Sequence, residues 1–349
     1  MKFINQQRGA WLCLLLVFLL SACGNKAEQQ QEYPFTYSGL TEGTSFHIKV
    51  SRLPEPVLPE QLKNQIMEVL DQIDGQMSTY LKDSELSRFN QNTSIDWVPV
   101  SAPLFTVLKE AQRISHLTGG AFDVTVGPLV NLWGFGPDPM KFVAPDNVSI
   151  QERLNKTGHN HLSIKEDSSA IKKAIPELYV DLSAIAKGYA VDQVGLLLEK
   201  NGITDYMVEI GGEITVKGKN INGGPWRIAI EQPTAEKRTV GKVVAITDIS
   251  MATSGDYRNF FEVDGVRFSH TIDPRSGRPI THRLASVTIL SKTTMEADAL
   301  ATAIMVLGPD EGYTFAERNN IAAFFIIKAA EGFDKKSTPA FTRYTELKG

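Results

Sequence analysis

Cysteine is almost missing from this chain: its 349 residues hold two, Cys13 and Cys23. Both lie near the start, so the rest of the chain has no disulfide framework, and an oxidising compartment is permitted without being required. A positive charge excess is missing too. Lys and Arg number 36 against 40 Asp and Glu, a formal net charge of −4, which disfavours nonspecific binding to nucleic acid because that binding depends on neutralising phosphates. No apolar run reaches the roughly 20 residues that span a bilayer; the stretch "AWLCLLLVFLL" at residues 10–20 is too short. No G-x-G-x-x-G fingerprint stands at a strand-to-helix turn, so the usual sequence signal of a dinucleotide fold is absent. No solenoid-length repeat is evident, and no clear linker interrupts residues 35–345.

What the start does contain is an export pattern. Lys2 and Arg8 precede the apolar run, which ends in "LSAC"; this is the order of a cationic region, an apolar region and a small-residue cleavage context. "LSAC" resembles a bacterial lipobox, and by that resemblance Cys23 becomes the lipid-modified first residue once residues 1–22 are removed. Cys13, Lys2 and Arg8 leave with the signal and no acid does, so the formal charge moves from −4 to −6. Residues 23–34 then read as a polar tether. A composition of 42% hydrophobic and 22% charged residues suits a globular protein with a sizeable core. Residues 35–349 are expected to form one catalytic domain, with two lobes as an option.

Periodicity in that region gives strands and helices in runs rather than in strict alternation, which indicates an α+β fold with substantial antiparallel sheet. "TSFHIKVS" alternates as a strand does. "PEQLKNQIMEVLDQIDGQMSTY" and "SAPLFTVLKEAQRISHLTGG" carry apolar residues at helical spacing, the first ending near Gly75 and the second at a glycine pair. "AFDVTVGPLVNLWGFGP" holds Gly, Pro and bulky aromatics too closely for a regular element and reads as a shaped loop. A short helix at residues 147–156 precedes strands "HLSI" and "LYVDL", and a helix at about 185–199 follows. Strands come next in "YMVEIGGEITVKG", "WRIAIEQP", "VVAITDISMATS", "RNFFEVDGVRFSHTID" and "ASVTILS", with a hairpin turn at "VDG". A helix at about 294–307, ended by Gly308 and Pro309, leads to the strand "IAAFFIIKA".

The stretch "VDLSAIAKGYAVD" places Asp181, Ser183 and Lys187 at the mouth of the 185–199 helix. One reading is capping, since Asp or Ser ahead of a helix satisfies its free amides. The other is a phosphate site, because those amides and the helix dipole favour an anion and Lys187 adds a full charge. In "TTMEADALATAIMVLG", Asp298 and Thr302 stand four residues apart on one helical face among apolar neighbours. A carboxylate and a hydroxyl there suit a local hydrogen bond or a hard cation such as Mg²⁺. "ATSGDYRNFFEVDGVRFSHTIDPRSGRP" gathers Ser254, Asp256, Tyr257, Arg258, His270, Asp273, Arg275 and Arg278. It is either a polar hairpin or a reactive one, and His270 either a satisfied imidazole or a general base. "HNH" at residues 159–161 puts two imidazoles on one strand face with no third ligand close in sequence, and "EIGGEI" permits a close backbone approach or a bulge.

Taken in order, these pieces resemble the ApbE family, the FAD:protein FMN transferases of bacterial envelopes. The matching stretches are "EGTSFHI", "STYLKDSELSRFN", "GGAFDVTVGPLVNLWGFGP", "VDLSAIAKGYAVD", "EIGGEI", "ATSGDYRNF", "SHTIDPRSGRP" and "EADALATAIMVLG", spread from about residue 40 to 310. The resemblance implies an α+β, ApbE-like fold related to T-fold proteins, with mixed and antiparallel sheets packed with helices. It implies FAD as donor and a Thr or Ser hydroxyl of another protein as acceptor. By the same resemblance Glu42, Tyr80, Ala121, Phe122, Asp123, Asp181, Lys187, Ser254 and Tyr257 belong to the FAD site. Ala184 through its carbonyl, with Asp298 and Thr302, holds one or two Mg²⁺ ions, and His270 and Lys187 carry the catalysis. Two positions depart from the family pattern: Glu42 stands where Met often precedes "GT", and Glu213 where Asn often follows the glycine pair. Neither is expected to touch the metal set.

The implied reaction attaches FMN to the acceptor hydroxyl through a phosphoester and releases AMP. The implied setting is the bacterial envelope, with the chain anchored at Cys23 on the periplasmic side of the inner membrane. Its implied acceptors are flavoprotein subunits of membrane redox complexes, of the Na⁺-translocating NADH:quinone oxidoreductase or Rnf type. Two other readings stay open: an FAD pyrophosphatase, in which water replaces the acceptor, and a flavin-binding lipoprotein without turnover.

Overall fold

Alternating burial along strands builds the centre of the molecule. The structure, a computed structural model, describes residues 33–41, 43–136, 144–233, 239–256, 260–263 and 266–345. In chain order the strands are β1 (Phe35–Thr41), β2 (Thr44–Val50), β3 (Val98–Pro99), β4 (Leu162–Lys165), β5 (Ala170–Lys173), β6 (Tyr206–Ile210), β7 (Glu213–Lys217), β8 (Trp226–Gln232), β9 (Thr239–Ile246), β10 (Ile249–Gly255), β11 (Phe260–Val263), β12 (Val266–Ser269), β13 (Ile272–Asp273), β14 (Arg278–Pro279), β15 (Leu284–Ser291), β16 (Ala322–Lys328) and β17 (Phe333–Ser337). The helices are α1 (Pro59–Met77), α2 (Glu85–Gln91), α3 (Ala102–Leu117), α4 (Gly127–Leu132), α5 (Asn147–Leu154), α6 (Ala186–Lys200), α7 (Thr294–Arg318) and α8 (Pro339–Thr345).

Eight strands form one sheet in the order β1-β2-β6-β7-β10-β15-β16-β17. Every neighbouring pair is antiparallel. Because side chains alternate between faces, one strand serves two cores. In β16, Ala323 and Phe325 join the main core with residues of α6 and α7, while Ala322, Phe324 and Ile326 join a second core with β8, β9 and Phe341 of α8. Helix α1 buries Leu62, Ile66, Leu70, Ile73 and Met77, a stripe at helical spacing, and starts with Pro59 where a missing N–H costs nothing. A third cluster joins α4, α5, β11 and β13 through Leu129, Trp133, Ile150, Phe261 and Ile272.

Several sequence expectations change here. "LYVDL" is not a strand: Val180 is held instead by the Asn90 side chain, which donates to its carbonyl and accepts from its N–H, both at 2.8 Å. A single amide thus supplies the pairing that a neighbouring strand gives. "VVAITDISMATS" is two strands, β9 and β10, parted at Asp248 with φ 50°. The expected loop at 121–137 contains α4, opened by a proline in its first turn. "HNH" forms a 3₁₀ turn rather than a strand face. Helix α1 runs past Gly75 to Met77, β1 was unanticipated, and α7 continues to Arg318 through a break at Gly308. The expected signal, Cys23 and most of the tether lie outside the described residues. Among the described residues no helix is long and apolar enough to cross a membrane.

Candidate active site

Helices α6 and α7 meet where Gly188 lacks a side chain. A Cβ there would stand 2.5 Å from the Thr294 carbonyl oxygen and 2.8 Å from Met295 Cα, so only glycine allows this approach. One turn along α6, Asp192 accepts the N–H groups of Thr294 at 2.8 Å and Met295 at 3.0 Å. These belong to the first turn of α7, whose amides have no partner within the helix. In return Asp298 of α7 accepts the Gly188 N–H at 3.1 Å. Each helix is capped by an acid from the other.

That exchange decides the reading of the α6 mouth. Ile185 occupies the N-cap and supplies no side-chain cap. Asp181 accepts the N–H of Ser183 at 2.9 Å, closing the turn on itself. Capping by Asp181 or Ser183 is therefore not why those residues stand there.

Lys187 joins the segments. Its Nζ is 3.4 Å from Glu213 Oε1 and 3.9 Å from Asp298 Oδ2, and it donates to the Ser183 carbonyl at 3.3 Å. Glu213 arrives from the turn between β6 and β7. Gly211, at φ 63°, makes that turn, and a Cβ on it would lie 3.1–3.3 Å from Thr44 Cγ2, Lys187 Cδ and Glu213 Oε2. Glu213 and Asp298 are 5% and 4% exposed, and Glu213 Oε2 is buried without a hydrogen-bond partner. Burial pushes both carboxyls above the ordinary carboxylate range; Lys187 pulls both back, and the Asp298 charge pushes Glu213 further up. Glu213, the departure from the family pattern, thus shares the Lys187 ammonium with Asp298, because the hairpin turn lays it over the first turn of α6.

One turn beyond Asp298, Thr302 Oγ1 lies 3.2 Å from Ser254 Oγ of β10. Two buried carboxyl groups beside one ammonium, an orphaned carboxyl oxygen and a hydroxyl pair make a hard-oxygen donor set. Such a set fits Mg²⁺, which favours carboxylate and other oxygen ligands. Among the described residues no group of three or more His, Cys, Asp or Glu side chains could hold a metal, so hydroxyl and carbonyl oxygens belong to any such site here. Ala184, whose carbonyl the resemblance assigns to the metal, lies in the turn just before α6.

The remaining expected residues occupy the surroundings. Asp123 is buried, and its carboxylate accepts from Thr125 N and Oγ1 and from His159 N at 2.7–2.8 Å. Burial raises its pKa and those hydrogen bonds lower it. Its side chain braces the loop. The Asp181 N–H donates to the Val124 carbonyl at 2.7 Å, which joins that loop to the α6 mouth. Ala121 packs with Val306 and Leu307, and Phe122 sits in the main core. Tyr80 is 72% exposed. His270 follows β12 with its ring edge-on to Phe135 at 6.3 Å between centroids. Glu42 and Tyr257 lie outside the described residues.

The family model of the ApbE family matches residues 43–325. This chain belongs to the ApbE family. The FAD:protein FMN transferase of Vibrio cholerae is 49% identical over 332 residues, 95% of this chain and 97% of that one. That of Haemophilus influenzae is 45% identical over 342 residues, 97% of each chain. Among solved structures, the flavin transferase ApbE from Vibrio cholerae superposes with TM-score 0.83 at 49% identity, covering 88% of this chain and 98% of that one. The apo flavinyl transferase ApbE of Pseudomonas stutzeri gives 0.82 at 41%, covering 90% and 97%.

The α+β, ApbE-like architecture expected from the motifs is thus the one found. Within this ApbE chain, sequence reading missed Gly188, Asp192 and the contact made by Glu213. A glycine in the first turn of a helix was a usable signal, since it costs stability unless something must come close.

Proposed function

We propose that this chain is a Mg²⁺-dependent FAD:protein FMN transferase. The observation that carries the proposal is the cluster of Lys187, Glu213 and Asp298 at the mouth of α6, in a chain 49% identical to a relative bearing that name. Lys187, at the mouth of α6, binds the FAD pyrophosphate, whose charge its ammonium and the positive end of the helix dipole favour. Ala121, Phe122, Asp123 and Asp181 shape the adjoining wall, and Glu42, Tyr80, Ser254 and Tyr257 complete the FAD site. Asp298, Thr302 and the Ala184 carbonyl hold Mg²⁺, which when bound offsets phosphate charge. His270 takes the proton from the acceptor hydroxyl as its oxygen attacks the phosphorus on the FMN side. A new phosphoester O–P bond forms, the pyrophosphate P–O bond breaks, and AMP leaves with its electron pair. Positioning and charge stabilisation supply most of the acceleration.

Cys23 anchors the chain by lipid on the periplasmic side of the inner membrane, and its acceptors are flavoprotein subunits of membrane redox complexes. The test is to incubate the signal-free protein with FAD, Mg²⁺ and a threonine-containing acceptor domain. Intact mass spectrometry then shows an FMN-sized gain on the acceptor, with one AMP released per gain. AMP and free FMN without any gain on an acceptor that other members modify would replace transfer by hydrolysis.

A further inference from the structure

Glu213 has a buried oxygen with nothing to bind. Its Oε1 faces Lys187 Nζ at 3.4 Å, while Oε2 has no hydrogen-bond partner and the side chain is 7% exposed. Leaving a buried carboxylate oxygen without a donor is costly, and such exceptions in a native fold call for a partner. Asp298, equally buried, lies 3.9 Å from the same ammonium. Two buried carboxyl groups therefore flank one ammonium that is itself partly open to solvent. Gly211 keeps the turn close enough for Glu213 to reach, since a Cβ there would crowd both Lys187 Cδ at 3.2 Å and Glu213 Oε2 at 3.3 Å.

We infer that Glu213 is a cation-binding carboxylate of this site, and that Lys187 holds the cation's place before loading. A divalent ion takes over the two carboxylates, and the released ammonium turns to the phosphates. Two carboxylates, one ammonium and a divalent ion carry one net positive charge together, the sign that suits a pyrophosphate. The inference rests on the cation reading above but concerns a residue outside the metal set that the family resemblance implies.

The test is direct binding of Mn²⁺ to the protein without FAD, with free Mn²⁺ followed by electron paramagnetic resonance and folding checked by melting temperature. Glu213→Gln keeps the shape and removes the charge; it is expected to weaken Mn²⁺ binding at least tenfold. Lys187→Met removes the place-holder and is expected to tighten Mn²⁺ binding several-fold, a gain that damage to the fold does not produce. Glu213→Asp, which keeps the charge on a shorter arm, is expected to recover part of the affinity lost in Glu213→Gln. Glu213→Gln binding within twofold of the unaltered protein, with Asp298→Asn weakened, overturns the role of Glu213 and leaves the cation reading standing. Weaker binding in Lys187→Met overturns the place-holder. No Mn²⁺ binding by the unaltered protein at millimolar concentration overturns the inference and the metal part of the proposed function together.

Discussion

Lys173 and Lys187 are both largely withdrawn from solvent, yet their surroundings have opposite character. Lys173, at the end of β5, is 1% exposed and donates to the carbonyls of Asn90 at 3.1 Å and Asn92 at 2.8 Å, with the Phe89 ring 4.9 Å away. Burial lowers its pKa to about 8. Its neutral partners lie at the end of α2, where a cation complements the helix dipole. Lys187 sits between two buried carboxylates instead. Neutral acceptors make a buried lysine a clamp on the chain. Two buried carboxyl groups, one with an orphaned oxygen, make it one member of a cluster that a ligand can complete.

The largest effect that sharpens this contrast is expected at Asp298. Asp298→Ala should reduce FMN transfer on the order of 10³-fold, the scale of losing one preorganised charge contact at a reacting phosphate. Steady-state transfer measured against Mg²⁺ concentration checks it, and full activity with ordinary Mg²⁺ dependence would remove Asp298 from the site. His270→Ala should slow the transfer step by about 10²–10⁴, the range for a general base, with FAD affinity by fluorescence titration unchanged. Loss of FAD binding in that variant, with the transfer step intact, would make His270 a binding residue.

Lys173 should respond in stability rather than in rate. Its folded pKa of about 8 lies below the unfolded value near 10.5, so between those values the unfolded chain holds a proton that the folded chain has lost. Stability from this group therefore rises with pH across that window and is level below it. The full change is on the order of 3 kcal/mol. Thermal melts should show the difference between the unaltered protein and Lys173→Met moving in favour of the former from pH 8 to pH 10.5. The smallest effect belongs to Lys109, whose exposed pairing with Glu166 at 2.7 Å contributes less than about 1 kcal/mol. Lys109→Ala should leave both transfer and Tm nearly unchanged; a large Tm loss there would mean that exposure is a poor guide to which lysines matter.

The same two lysines show what could be read from sequence. Lys187 stood out because it opens a helix after a turn, and Asp298 and Thr302 because a spacing of four shares a helical face. Local periodicity also placed α1, α3, α6 and the first part of α7, since helical spacing is visible within one segment. Glu213 was visible only as a departure from a motif. Its position depends on the β6–β7 turn folding over α6, and the Gly188 to Asp298 contact spans 110 residues of chain; no local pattern encodes either. Lys173 gave no signal, because its partners are backbone carbonyls that any residues could present. "LYVDL" misled for the same reason, as the side chain of Asn90 supplies pairing from 90 residues away.

The most direct test of the central claim asks whether cation and pyrophosphate meet at the mouth of α6. Mn²⁺ would be added at substoichiometric levels to the protein–FAD complex while the two ³¹P resonances of bound FAD are recorded, for the unaltered protein and for Asp298→Ala. The account predicts strong broadening of both resonances in the unaltered protein and its loss in Asp298→Ala. Sharp ³¹P resonances beside protein-bound Mn²⁺ would contradict it, because the metal and the pyrophosphate would then occupy different places.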